Sequence, residues 1–97
     1  MNKVFQAKIK WMSSQQGGRQ SLPFSIRYAP FIVIKGIPFN PNENIWSIFV
    51  ENKETVAELE TIAEIRYLSE NAPNNLDKGV EFDLFEGVRK VASGIVL

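Results

Sequence analysis

Hydrophobic and polar residues alternate in several short segments of the chain, and a period of two is the pattern of a strand with one buried face. The segment from Lys3 to Trp11 shows this alternation most clearly. Its apolar face carries Phe5, Ala7, Ile9 and Trp11. Similar alternation, or a short β-branched and aromatic run, predicts further strands at residues 31–34, 45–50, 80–84 and 88–97.

Residues 51–61 combine two patterns. Good helix formers fill residues 54–60, and Val56, Leu59 and Ala63 fall on one helical stripe. The residues that follow alternate again, as in a strand. We therefore expect a loop or short helical turn near residues 53–58, followed by a strand from Thr61 to Leu68.

Loops rich in Gly, Pro, Ser and Asn separate these strands, at residues 12–25, 38–44 and 69–79. Short strands at such spacing predict a single all-β domain over residues 1–97, either a sandwich or a barrel. We favour the barrel because closure removes exposed sheet edges. The period of two predicts a core that includes Phe5, Ile9, Phe31, Val33, Phe82, Leu84, Val91 and Ile95.

Composition narrows the chemistry that the chain can perform. The 97 residues include no Cys and no His. Disulfide scaffolds, thiolate metal sites and His-based catalytic triads are thereby excluded, and we expect no enzyme activity, no metal and no cofactor. Lys and Arg number 11, as do Asp and Glu, which argues against attachment to nucleic acid or membrane by bulk charge. With no signal sequence or long apolar run, we expect a cytoplasmic protein.

Three local patterns invite a chemical interpretation. Residues 17–19 read Gly-Gly-Arg but lack the Lys and the Ser or Thr of a phosphate-binding loop, so we expect no nucleotide binding. The carboxylates of Glu81, Asp83 and Glu86 lie close in sequence, but on an alternating strand they are typical of a solvated face. Aromatic residues beside basic ones suit base stacking, although core packing is the simpler interpretation. These aromatic residues are Trp11, Tyr28 and Tyr67.

Two segments carry a more specific pattern. Residues 16–21 read Gln-Gly-Gly-Arg-Gln-Ser, followed by Pro-Phe at 23–24 and Tyr-Ala-Pro-Phe at 28–31. Residues 79–96 read Gly-Val-Glu-Phe-Asp-Leu-Phe-Glu-Gly-Val-Arg-Lys-Val-Ala-Ser-Gly-Ile-Val. In order and separation, both are similar to segments of the third, C-terminal domain of bacterial elongation factor Tu. The resemblance implies a six-stranded antiparallel Greek-key β-barrel without enzyme activity.

In that family the domain packs on a second barrel, touches the GTPase domain, contacts the T-stem side of aminoacyl-tRNA and engages the nucleotide-exchange factor. The resemblance therefore implies a binding surface, formed where the two segments meet at one end of the barrel. The residues that match the family there are Gly18, Arg19, Glu86, Gly87 and Arg89. The neighbouring positions that depart from it are Gln20, Ser21, Val88 and Lys90.

Without a GTPase domain, the chain is expected to be a stand-alone binding module. The first function that the resemblance implies is binding of a protein partner, which is a translation factor, a GTPase, or a protein that targets one. In the last case the chain would mimic the factor and occupy the protein that targets it, as an antitoxin or immunity protein would. The alternative is a tRNA- or RNA-binding barrel that keeps part of the T-stem contact. A purely structural interpretation is that Arg19 and Arg89 pair with carboxylates such as Glu86 and tie the two segments together. No membrane binding is expected.

Overall fold

The computed structural model describes residues 3–13, 28–36, 46–69, 72 and 76–97. Within these residues the chain forms strands and turns, and none of them belongs to a helix that is long and apolar enough to cross a membrane. The strands are β1 (Phe5–Trp11), β2 (Phe31–Ile34), β3 (Trp46–Ala57), β4 (Glu60–Tyr67), β5 (Glu81–Glu86) and β6 (Arg89–Val96).

These strands close into a barrel in the order β1-β4-β3-β2-β5-β6, and β6 pairs in turn with β1. Every pairing is antiparallel. Strands β2, β3 and β4 are successive neighbours, while β1 lies beside β4, which makes a Greek-key arrangement. The prediction of an all-β, closed, six-stranded antiparallel barrel is therefore confirmed, and closure gives the first and last strands a partner on both sides.

The apolar faces of the strands fill the barrel interior. In β1 buried and exposed residues alternate over the whole strand, as its sequence predicts. Five of the predicted core residues are buried: Phe5, Ile9, Phe82, Leu84 and Val91. Because a buried phenylalanine or leucine removes a large apolar area from water, these residues supply much of the free energy of folding.

Two predicted core residues in β2 were misplaced. Phe31 is 38% exposed, and Val33 is half-buried. Ile32 is the residue that points into the core, with 3% of its surface exposed. The run Phe-Ile-Val-Ile contains no polar residue to mark the outer face of the strand, so the pattern of β2 could not determine which residues point inward.

The prediction for Ile95 is also wrong, and a β-bulge explains why. Ile95 is 39% exposed. The pairing of β5 with β6 shifts between Leu84 and Phe85, so that Val91 is the extra residue on β6. Val91 and Ala92 are consequently both buried. Since the inward positions after a bulge change from odd to even numbers, Ile95 points outward.

The expected loop or helical turn at residues 53–58 is not present. β3 continues to Ala57, and Glu58 and Leu59 form the turn that leads into β4. The pairing of β3 with β4 shifts between Asn52 and Glu54 and again between Thr55 and Ala57. Residues 53–57 are exposed throughout, so this part of β3 has no buried face, and its sequence lacks the alternation that indicates a strand.

Candidate functional site

The turn between β5 and β6 carries the described part of the predicted binding surface. Glu86 and Arg89 are the last cross-strand pair, so Gly87 and Val88 form a two-residue turn. Gly87 has a φ of 62°, a conformation that is easy for glycine and required at the first central position of a type II′ turn. Val88 at the tip is fully exposed.

The base of this turn is held by contacts of Glu86. One carboxylate oxygen, Oε1, lies 3.0 Å from Nη2 of Arg89. The other, Oε2, accepts a hydrogen bond from the hydroxyl of Tyr28. Tyr28 is 6% exposed, and its backbone pairs with Val50 of β3. The carboxylate thus joins the turn to a residue anchored in the barrel.

Tyr28 in turn packs against the buried side chain of Trp11. Its ring centroid lies 5.7 Å from that of Tyr28, and the two ring planes are tilted by 52°. The indole nitrogen of Trp11 donates to Oγ1 of Thr61 at 2.9 Å, and that hydroxyl donates to Oδ1 of Asn52 at 2.7 Å. Because each buried polar group finds a partner, this chain of contacts stabilises the end of the barrel that carries the turn.

A second ion pair lies beside the turn, on the outer face of β5 and β6. Lys90 Nζ is 3.3 Å from Oδ1 of Asp83, and the hydroxyl of Ser93 donates to the same oxygen at 2.8 Å. The Lys90 side chain keeps 41% of its surface exposed. Both cations of the turn region, Arg89 and Lys90, are therefore paired with carboxylates of the same hairpin while their heads remain accessible to solvent.

The structure locates only half of the predicted site. Glu86, Gly87, Arg89 and Lys90 lie together at the β5–β6 turn. The other predicted residues, which are Gly18, Arg19, Gln20 and Ser21, lie outside the described residues. That the two segments form one patch stays a prediction. The pairing of Arg89 with Glu86, proposed by the structural interpretation, is present in the structure.

The idea that Trp11, Tyr28 and Tyr67 stack nucleobases is wrong, because all three are buried. Trp11 and Tyr67 are each 2% exposed. Burial also raises the pKa of the Tyr67 hydroxyl to about 12. The role of Tyr28 as the partner of Glu86 was missed, since 58 residues separate the two and no local pattern links them.

The acidic residues of β5 are not arranged as a metal site. Glu81 is exposed, and Asp83 is partly buried against Ser93 and Lys90. Within the described residues, no group of three or more acidic side chains is placed to hold a metal ion. The groups that the described residues place at this end of the barrel are an apolar tip, two ion pairs and a tyrosine hydroxyl.

No family model matches the chain, and no curated protein matches it significantly. The geometry of the turn and the residues that resemble the elongation factor Tu domain are therefore the basis for a functional proposal.

Proposed function

We propose that this chain is a non-catalytic binding barrel that contacts a protein partner through the β5–β6 turn. The observation that carries the proposal is the full exposure of Val88 at the tip of a turn whose base is held by Tyr28 and Arg89. An exposed apolar side chain on a preorganised turn loses little conformational freedom when a partner covers it. Such a tip suits contact with an apolar patch on the surface of a partner.

The charges around the tip support a protein partner over RNA. Glu86 and Asp83 lie within ion-pair distance of Arg89 and Lys90, so the two cations carry their own counter-charges. A phosphate backbone would have to compete with these carboxylates and would be repelled by them. A protein surface can instead complement both signs of charge at once.

The resemblance to the elongation factor Tu domain indicates the kind of partner. In that family the domain contacts a GTPase domain, a second barrel and an exchange factor. We infer that the partner of this chain is a translation factor, a GTPase, or a protein that targets one of these, so that the chain acts as a mimic of the domain. Binding of tRNA through Arg89 and Lys90 is the alternative, and the experiment must distinguish it from binding of a protein.

Site-specific photo-crosslinking tests this proposal. The photoreactive amino acid p-benzoylphenylalanine replaces Val88 in cells that express the chain, and in a matched control it replaces Val56, an exposed aliphatic residue of β3 (46% exposed). We expect a covalent protein adduct from position 88 and none from position 56. An RNA adduct from position 88, or equal adducts from both positions, would contradict the proposal.

A further inference from the structure

Aromatic side chains lie on the outer wall of the barrel, where a solvated face normally carries polar residues. Phe31 of β2 is 38% exposed, and Phe49 of β3 and Phe85 of β5 are partly exposed. The residues that flank them in sequence point inward and are buried: Ile32, Ile48, Val50 and Leu84. The three phenylalanines therefore belong to the outside of the sheet and not to the core.

Strand pairing brings these residues side by side. Phe85 pairs with Phe31 across β5 and β2. Phe31 pairs with Ser47 of β3, so Phe49, two residues further along, is its diagonal neighbour on the same face. Diagonal neighbours lie about 7–8 Å apart, which is within reach of aromatic side chains. Phe49 in turn pairs with Arg66 of β4. We call these four residues, Phe85, Phe31, Phe49 and Arg66, the aromatic row.

Arg66 gives the aromatic row a cation at one end. Its guanidinium carbon lies 5.1 Å from the centroid of the Phe49 ring, which is a cation–π contact. None of the ion pairs formed between described residues includes Arg66. The carboxylate of Glu51 accepts a hydrogen bond from Lys53 at 2.8 Å. Lys53 is the main cause of the lowered pKa of Glu51, and the charge of Arg66 makes the smaller contribution.

We propose that the aromatic row is a docking surface for a protein segment that places aliphatic side chains over Phe31 and a carboxylate at Arg66. Phenylalanine and arginine are enriched in the buried centres of protein interfaces. A carboxylate complements Arg66, whose guanidinium lies over the Phe49 ring. A single-stranded nucleic acid fits less well, because a run of phosphates needs several cations and the aromatic row offers one, Arg66, whereas a single carboxylate needs only one.

The aromatic row reaches the base of the β5–β6 turn at Phe85, which pairs with Lys90, but it does not include Val88, the tip residue on which the proposed function depends. The first probe is an eight-residue peptide with four leucines at its centre and two glutamates at each end. The second has the same leucines with lysines in place of the glutamates, and the third is octa-uridylate RNA. Each is titrated into the isotopically labelled full chain and followed by NMR chemical shifts.

We expect the glutamate peptide to shift the amide signals of Phe31, Phe49 and Phe85 and to bind more tightly than the other two probes. Arg66→Gln should weaken that binding about fivefold, which corresponds to about 1 kcal/mol. Phe31→Ala should weaken it at least as much. The matched control is Ile95→Ala, because Ile95 is 39% exposed, compared with 38% for Phe31, and lies outside the aromatic row.

The proposal is overturned if the glutamate peptide causes no shifts on these strands, or if it binds the Arg66→Gln variant as tightly as the unmodified chain. Tighter binding of octa-uridylate at the same residues would assign the surface to nucleic acid instead. Arg66→Gln changes an exposed side chain, so it keeps the test valid should Phe31→Ala lower the melting temperature. A Val88→Ser variant should bind the glutamate peptide normally, which separates this surface from the turn.

Discussion

The two hairpins β3–β4 and β5–β6 turn at the same end of the barrel but form their turns in different ways. Gly87 supplies the positive φ of the β5–β6 turn. In the β3–β4 turn the positive φ, 61°, belongs to Leu59, which is the second of the two central residues, whereas Gly87 is the first. Leucine is strained in this conformation. The strain is offset because the Leu59 carbonyl accepts a hydrogen bond from the Trp11 amide at 2.7 Å and its side chain packs on the core.

The comparison shows that a turn can be encoded locally or by tertiary contacts. The Glu-Gly step of β5–β6 is visible in the sequence as a turn. The Glu-Leu step of β3–β4 is not, because its conformation depends on Trp11, which lies 48 residues away in the numbering. We therefore expect the stability of the β5–β6 hairpin to depend on its core contacts and its glycines, and that of the exposed part of β3 to depend on charge.

The largest effect is expected for Phe82→Ala in β5. Phe82 is fully buried, and its removal leaves a cavity in the barrel interior. The free energy of unfolding should fall by about 3–5 kcal/mol. Denaturant titration measures the change, and Val56→Ala in the exposed part of β3 is the comparison, with an expected change within about 0.5 kcal/mol. A similar loss of unfolding free energy for both variants would contradict the difference in burial between Phe82 and Val56.

Gly94→Ala should also destabilise the β5–β6 hairpin, because Gly94 pairs with Phe82 across the two strands. A Cβ atom at Gly94 would come within 3.0 Å of three carbon atoms of the Phe82 ring. We expect a loss of about 1–3 kcal/mol by thermal or denaturant unfolding. In a Phe82→Ala background the same substitution should cost clearly less, and an unchanged cost would mean that the ring is not the obstacle.

Gly87→Ala tests the conformation of the β5–β6 turn itself. No atom lies within 4 Å of a Cβ placed at Gly87, so its substitution cost comes from the positive φ alone. We expect a loss of about 1 kcal/mol for Ala and less for Asn, which tolerates this conformation better. Equal unfolding free energies for the Gly, Ala and Asn forms would show that position 87 does not need a residue that readily adopts a positive φ.

Charge on β3 should give the smallest effect. Glu51 and Glu64 are a cross-strand pair of like charge, and Lys53 donates to Glu51. This hydrogen bond and the nearby charge lower the pKa of Glu51 below its usual 4.5. A depressed carboxylate pKa stabilises the fold above the unfolded pKa, and the stabilisation is lost as the pH falls through the folded pKa. Lys53→Ala should lower the melting temperature slightly at pH 7 and leave it unchanged at pH 2, whereas a difference that persists at pH 2 would assign the effect to packing.

The sequence predicts the fold well because most strands carry a regular alternation. In β1, Phe5 and Ile9 were assigned to the core from this alternation alone, and both are buried. The prediction is wrong where a bulge shifts the alternation, as at Ile95, or where a strand has no polar residue, as at Phe31. Bulges depend on how two strands fit together, and a single strand's pattern does not record that fit.

The candidate site is only partly readable from sequence for the same reason. The turn residues Glu86 to Arg89 are adjacent in the chain, so their proximity is a local property. The contact of Tyr28 with Glu86 and the row that joins Phe31 to Arg66 require the strand order of the closed barrel. Local patterns carry no information about that order, which is why neither was predicted.

The most direct test of the central claim is a parallel measurement of stability and partner binding for Arg89→Ala. The Arg89–Glu86 ion pair is largely solvent-exposed, with 52% of the Arg89 side chain accessible. Such a pair contributes about 0–1 kcal/mol. If the turn binds a protein partner, Arg89→Ala should keep nearly all of the unfolding free energy and lose the protein adduct formed from position 88. A large loss of stability with the adduct unchanged would contradict the account and assign Arg89 a purely structural role.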